Sequence, residues 1–90
     1  MPDQERMRLD LRGLKCPLPA LMTRRALLRA AADAEIEVTT DDPLAALDIP
    51  HMCTQEGFDV LDVARDGVVT RHVVRRPAAS PAGPTAQGDR

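Results

Sequence analysis

The sequence predicts a two-layer α/β sandwich, with its elements in the order strand, helix, strand, helix, strand, strand. Three observations predict it. Short stretches in which apolar and polar residues alternate are interleaved with two longer stretches of helical composition. Neither helical stretch is long enough to be stable alone in water, so both must lie on the sheet. The last two β-rich runs flank Asp66-Gly67, a strong two-residue hairpin signal. Ninety residues allow one domain. With Phe58 as the single aromatic residue, the core must be aliphatic.

The elements follow in order. Residues 1–5 read as a loose end. "RMRLDLRG" then alternates, with Met7, Leu9 and Leu11 on one side and Arg8, Asp10 and Arg12 on the other. Gly13 ends this strand. Pro17 to about Ala32 is rich in Ala, Leu and Arg, and reads as the first helix. Cys16 would be its N-cap, and Pro17 would take the first helical position, where a missing N–H costs nothing. "AEIEVTT" alternates again, with Ile36 and Val38 inward. "DDPLAALDIPHMCTQEG" is the second helix, with Asp42 as N-cap, Pro43 as first residue and Gly57 as stop. Pro50 lies inside it and is expected to kink or split it. "FDVLDVARDGVVTRHVVRR" is the hairpin. These elements make one domain over residues 1–76. "PAASPAGPTAQGDR", residues 77–90, has no large apolar side chain, and such a composition is expected to remain a disordered tail.

Composition excludes several function classes. A net charge of −2, with basic residues scattered among acidic ones and no aromatic platform, gives no reason to expect direct nucleic-acid binding. No apolar run approaches a membrane span, and the charged N-terminus does not read as a secretory signal. The expected location is the cytoplasm, where both cysteines would stay reduced.

The chemistry is concentrated in "GLKCPLPALMTRRALLRA". A thiol at a helix N-terminus meets partial positive charge and free N–H groups, which should lower its pKa. Pro17 and Pro19 stiffen the junction, and the Leu18 N–H between them could point at the sulfur. Lys15, the only lysine, adds a cation. A free cysteine is commonly just a small buried side chain. At Cys16 the N-cap position and the two prolines favour a reactive thiol instead. There is no C-x-x-C, and Cys16, Cys53, His51 and His72 lack the paired spacing of a zinc site. A Cys16–Cys53 disulfide is not expected, because Cys53 lies well down the second helix. Cys53 reads as a buried side chain near Ile49 and Met52. His51 and His72 read as surface or ordinary hydrogen-bonding residues.

On the first helix two apolar faces compete for the sheet. If Arg24 stays in solvent, then Ala20, Leu27 and Ala31 pack inward, and Leu21, Arg24, Arg25 and Leu28 form an exposed partner-binding patch. The alternative leaves Leu21 and Leu28 half-buried, with Arg24 snorkelling past them.

Together these stretches resemble the TusA/SirA family of small sulfur carriers. The resemblance rests on Gly13-Leu14, Cys16-Pro17-Leu18-Pro19, Arg24-Arg25, Asp42-Pro43 and Asp48-Ile49-Pro50, with Cys53 three residues later, and covers about residues 8–76. It implies a mixed four-stranded sheet with both helices on one face. It implies that Cys16 carries sulfur as a persulfide, supported by Lys15, Pro17, Leu18 and Pro19, with no metal or organic cofactor. It also implies two partners: a desulfurase or rhodanese-like sulfur donor, and an acceptor protein, for example one leading to tRNA thiolation. Phe58 and Leu47 depart from the His and Arg that family members often carry there. A changed partner would follow if partners read the charge missing at Leu47. Two other functions are compatible with the residues: a non-catalytic interaction or regulatory module, and a reactive-thiol redox sensor.

Overall fold

The computed structural model describes residues 6–78. Its elements are β1 (Met7–Asp10), α1 (Leu18–Arg29), β2 (Glu35–Thr40), α2 (Pro43–Glu56), β3 (Asp59–Asp66) and β4 (Val69–Arg75). The four strands form one mixed sheet in the order β1-β2-β4-β3. β1 runs parallel to β2, and the other two pairings are antiparallel. The predicted fold class and element order hold.

Alternation decides which face the helices cover. Ile36, Val38 and Thr40 of β2 lie opposite Val74, His72 and Thr70 of β4, and all six are buried. Ala20, Thr23 and Leu27 of α1 and Ala45, Ile49 and Cys53 of α2 are buried as well, which places both helices on that face. The opposite face carries Glu35, Glu37, Arg71 and Arg75, and is polar. Burying these aliphatic side chains between the layers is the main favourable contribution to folding.

Several boundaries differ from expectation. α1 ends at Arg29, because the Arg76 guanidinium donates to the Leu28 and Ala30 carbonyls and Ala30 is already extended. Ala31 is therefore off the helix and exposed, not packed on the sheet. Pro50 does not split α2, which runs unbroken from the Asp42 cap to a left-handed Gly57. One missing N–H removes one backbone bond. Ile49 and Cys53, buried on either side of it, hold the two halves on one core. The hairpin turn is Gly67-Val68, one residue later than expected, with Asp66 still paired to Val69. Only Gly67 of these two has positive φ, the pattern of a II′ turn.

Met7 is half exposed at the sheet edge, while Leu9 and Leu11 turn inward as expected. Pro77 and Ala78 follow β4, and the Ala78 N–H donates to Asp33 Oδ1. The expectations for a loose end over residues 1–5 and for the tail beyond Ala78 fall outside the described residues. No helix among the described residues is long and apolar enough to cross a membrane.

Candidate functional site

Cys16 sits in the loop between β1 and α1, at the end of the sheet where both helices begin. The loop is pinned from the start of α2. Asp41 Oδ1 accepts from the Gly13 N–H at 2.9 Å. Asp42 Oδ2 accepts from the Cys16 N–H at 2.7 Å, while its Oδ1 accepts from the Leu44 N–H and caps α2. The Cys16 Sγ–H donates to Asp48 Oδ2 at 2.5 Å. Three carboxylates of residues 41–48 thus hold the thiol loop.

This geometry corrects the expectation for Cys16. It is not the N-cap of α1; Pro17 is, with Leu18 and Pro19 as the first two helical residues. The backbone N–H and the thiol of Cys16 are both engaged by acidic side chains at the cap of α2 and within it. The Leu18 N–H does not point at the sulfur, because it donates to the Lys15 carbonyl at 2.9 Å and closes the turn. The Cys16–Pro17 peptide is cis. The expected fall in thiol pKa is reversed. The hydrogen bond to Asp48 comes first, then partial desolvation and the charges of Asp48 and Asp42, and together they push the thiol upward. Asp42 moves the other way, held low chiefly by the Cys16 N–H.

Cys16 is half-buried, and Lys15, Pro17 and Leu18 beside it are exposed. Pro19 is buried and ties the first turn of α1 to the core. Leu21, Arg24, Arg25 and Leu28 all face solvent, with Leu21 54% and Leu28 46% exposed. Arg24 bridges to Glu56 of α2 at 3.2 Å rather than snorkelling over the core. Leu44 and Leu47 of α2, the latter 70% exposed, add apolar surface on the turns that hold the thiol. Cysteine, leucines and arginines therefore share the helical layer.

Cys53 is fully buried and free, as expected. His51 is exposed. His72 is neither on the surface nor hydrogen-bonded. It is fully buried, and no described residue partners either ring nitrogen. β4 is a central strand, so its inward positions lie under the helices whatever their polarity. Among the described residues no group of three or more His, Cys, Asp or Glu side chains could hold a metal ion.

Sequence reasoning placed Asp42 as a helix cap and Asp48 only as part of a motif. Neither was seen as a partner of Cys16, from which they stand 26 and 32 residues away. The signal available was their position beside two prolines, Pro43 and Pro50, in a second stiffened segment.

A family model described as Sulfurtransferase TusA matches residues 7–76. Proteins named "Putative sulfur carrier protein YedF" from Escherichia coli K12 and Salmonella typhimurium LT2 are 33% identical over 69 residues, covering 77% of this chain and 90% of theirs. A crystal structure of a SirA-like protein from Desulfitobacterium hafniense superposes with a TM-score of 0.69 at 19% identity, covering 79% of this chain and 97% of that one. That last likeness concerns the fold.

Proposed function

This chain belongs to the TusA family of sulfurtransferases and sulfur carriers, and from that premise we propose that it accepts sulfur as a persulfide on Cys16 and relays it to an acceptor protein. The observation that supports this reading is a single half-exposed thiol held at the shared end of two helices, next to apolar and basic side chains that a transient partner could read. Loading needs no cofactor. The Cys16 thiolate attacks the terminal sulfur of a donor persulfide, and the donor thiolate leaves. An acceptor thiolate then attacks the terminal sulfur on Cys16 in the same manner. Family membership implies donor and acceptor proteins in general. We assign the donor to the desulfurase or rhodanese-like class and place the carrier in the cytoplasm, serving a thiolation pathway such as that of tRNA. Leu21, Arg24, Arg25 and Leu28 are the proposed docking patch.

Mass spectrometry after incubation with a desulfurase and cysteine tests the reading. A reductant-sensitive gain of about 32 Da, one sulfur atom, on Cys16 is expected, with none in a folded Cys16→Ser variant. A sulfenic acid without persulfide would mark a redox sensor. No modification would mark a binding module.

A further inference from the structure

The hydrogen bond from Cys16 to Asp48 raises a difficulty that the carrier reading must meet. The thiolate is the nucleophile, yet a carboxylate faces the sulfur and favours the protonated form. The main-chain bond from the Cys16 N–H to Asp42 places a second carboxylate behind the same residue. The other charged groups at this loop are Asp41, bound to the Gly13 N–H, exposed Lys15, and exposed Arg12, whose guanidinium is paired with Asp10. The first turn of α1 adds no acidic residue. The acidic groups that contact Cys16 therefore come from residues 41–48.

Loading changes what the sulfur can do there. In the persulfide, Sγ is bonded to Cβ and to the added sulfur and has no proton to donate. The terminal sulfur is more acidic than a thiol and is anionic near neutral pH. An anion next to Asp48 and Asp42 is repelled, and Cys16 is exposed enough for it to turn towards solvent.

Resting on the carrier reading, we propose that Asp48 is a positioning residue that distinguishes the empty carrier from the loaded one. It holds the Sγ–H of the empty protein inward, and it drives the anionic persulfide of the loaded protein outward, towards an acceptor thiol. The cycle balances without an added oxidant. On loading, the Cys16 S–H bond breaks, an S–S bond forms to the donor's terminal sulfur, and the donor's own S–S bond breaks. The donor sulfur leaves with that electron pair and takes up the proton. On discharge the acceptor thiolate attacks the terminal sulfur, and Cys16 leaves as thiolate, regains a proton and returns to Asp48. The empty thiol is shielded from alkylation and oxidation between cycles.

The test compares the full chain with Asp48→Asn, using two uncharged probes so that the probe does not sense the altered charge. Iodoacetamide reads the empty thiol across a pH series. Asp48→Asn should move the midpoint of the alkylation profile to lower pH and speed alkylation by about three- to tenfold near pH 7. A neutral phosphine, which removes the terminal sulfur as phosphine sulfide, reads the protein loaded with polysulfide. Asp48→Asn should discharge more slowly. If persulfide forms on Cys16 but both profiles overlay those of the parent, the role of Asp48 is overturned and the carrier reading stands. If the parent forms no persulfide, both fall. A second measurement needs no Asp48 variant. The carboxyl carbon resonance of Asp48 should shift as Cys16 ionises, shift again on loading, and do neither in Cys16→Ser; an unmoved resonance in the parent overturns the proposal.

Discussion

Cys53 shows how far surroundings separate two thiols in one chain. It lies in the core between the helices and the sheet, and burial pushes its pKa up to about 11 from an ordinary thiol's 9.0. A folded-state pKa above the unfolded one means that stability is full below about pH 9 and declines as pH rises towards 11, because the folded protein resists the ionisation that the unfolded chain accepts. Two pKa units correspond to about 2–3 kcal/mol. Near pH 7, Cys53→Ala should cost about 1 kcal/mol through lost packing, with sulfur loading intact. Above pH 11 the order should invert and the variant should be the more stable, which urea unfolding at several pH values would read. A variant stable at pH 7 but unable to accept sulfur would give Cys53 a part in the chemistry. Residue type and local context were enough to assign Cys53 its buried place. They could not supply the pKa direction of Cys16, which depends on a carboxylate brought in from 32 residues away.

At the scale of the element, α1 carries its information in its phase. Ala20, Thr23 and Leu27 recur at helical spacing and are buried, which leaves Leu21, Arg24, Arg25 and Leu28 outward. The sequence left two divisions open, and the exposure of Leu21 and Leu28 together with the Arg24–Glu56 bridge decides for this one. The end of the helix was not legible, since the Arg76 side chain that takes its last carbonyls comes from beyond β4. His72 was misread for a related reason. Alternation within β4 was clear, but only the strand order makes β4 central and its inward side dry. The proposed docking role of α1 can be tested by charge reversal. Arg24→Glu with Arg25→Glu removes the exposed Arg24–Glu56 bridge, a loss of roughly 0–1 kcal/mol, so the domain should stay folded. Transfer from a protein donor should slow, while loading by polysulfide should be unchanged. Equal protein-to-protein rates in parent and variant would move the docking site off this face.

For the whole molecule, the two layers of the described residues leave one face of the sheet uncovered, and among those residues charge rather than a further helix occupies it. Glu37 on β2 sits at the centre of that face. Its Oε1 lies 3.7 Å from Arg6 and 4.0 Å from Arg8, and its Oε2 lies 3.9 Å from Arg71. One carboxylate thus stands among cations contributed by β1, by the residue before it, and by β4. Its side chain is only 17% exposed, so solvent screens it less than its neighbours. No pairwise bridge here is short, and each alone would be worth little. Their common centre is the important feature, because removing it takes the shared carboxylate from Arg8 and Arg71 and leaves Arg6 to its bond with Glu35. Reversing it is worse. Glu37→Lys should therefore lower stability by about 1–2 kcal/mol at low ionic strength, through like charges on neighbouring strands. Added salt should recover much of that loss as the Debye length falls from about 30 Å at 0.01 M to about 3 Å at 1 M. Asp66→Lys, at the exposed end of the hairpin, makes the same change in net charge away from this cluster and should cost little at any salt concentration. Thermal unfolding of the two variants across a sodium chloride series decides the matter. A Glu37→Lys deficit that does not shrink with salt would mean that lost packing, and not charge, is what Glu37 supplies to the open face.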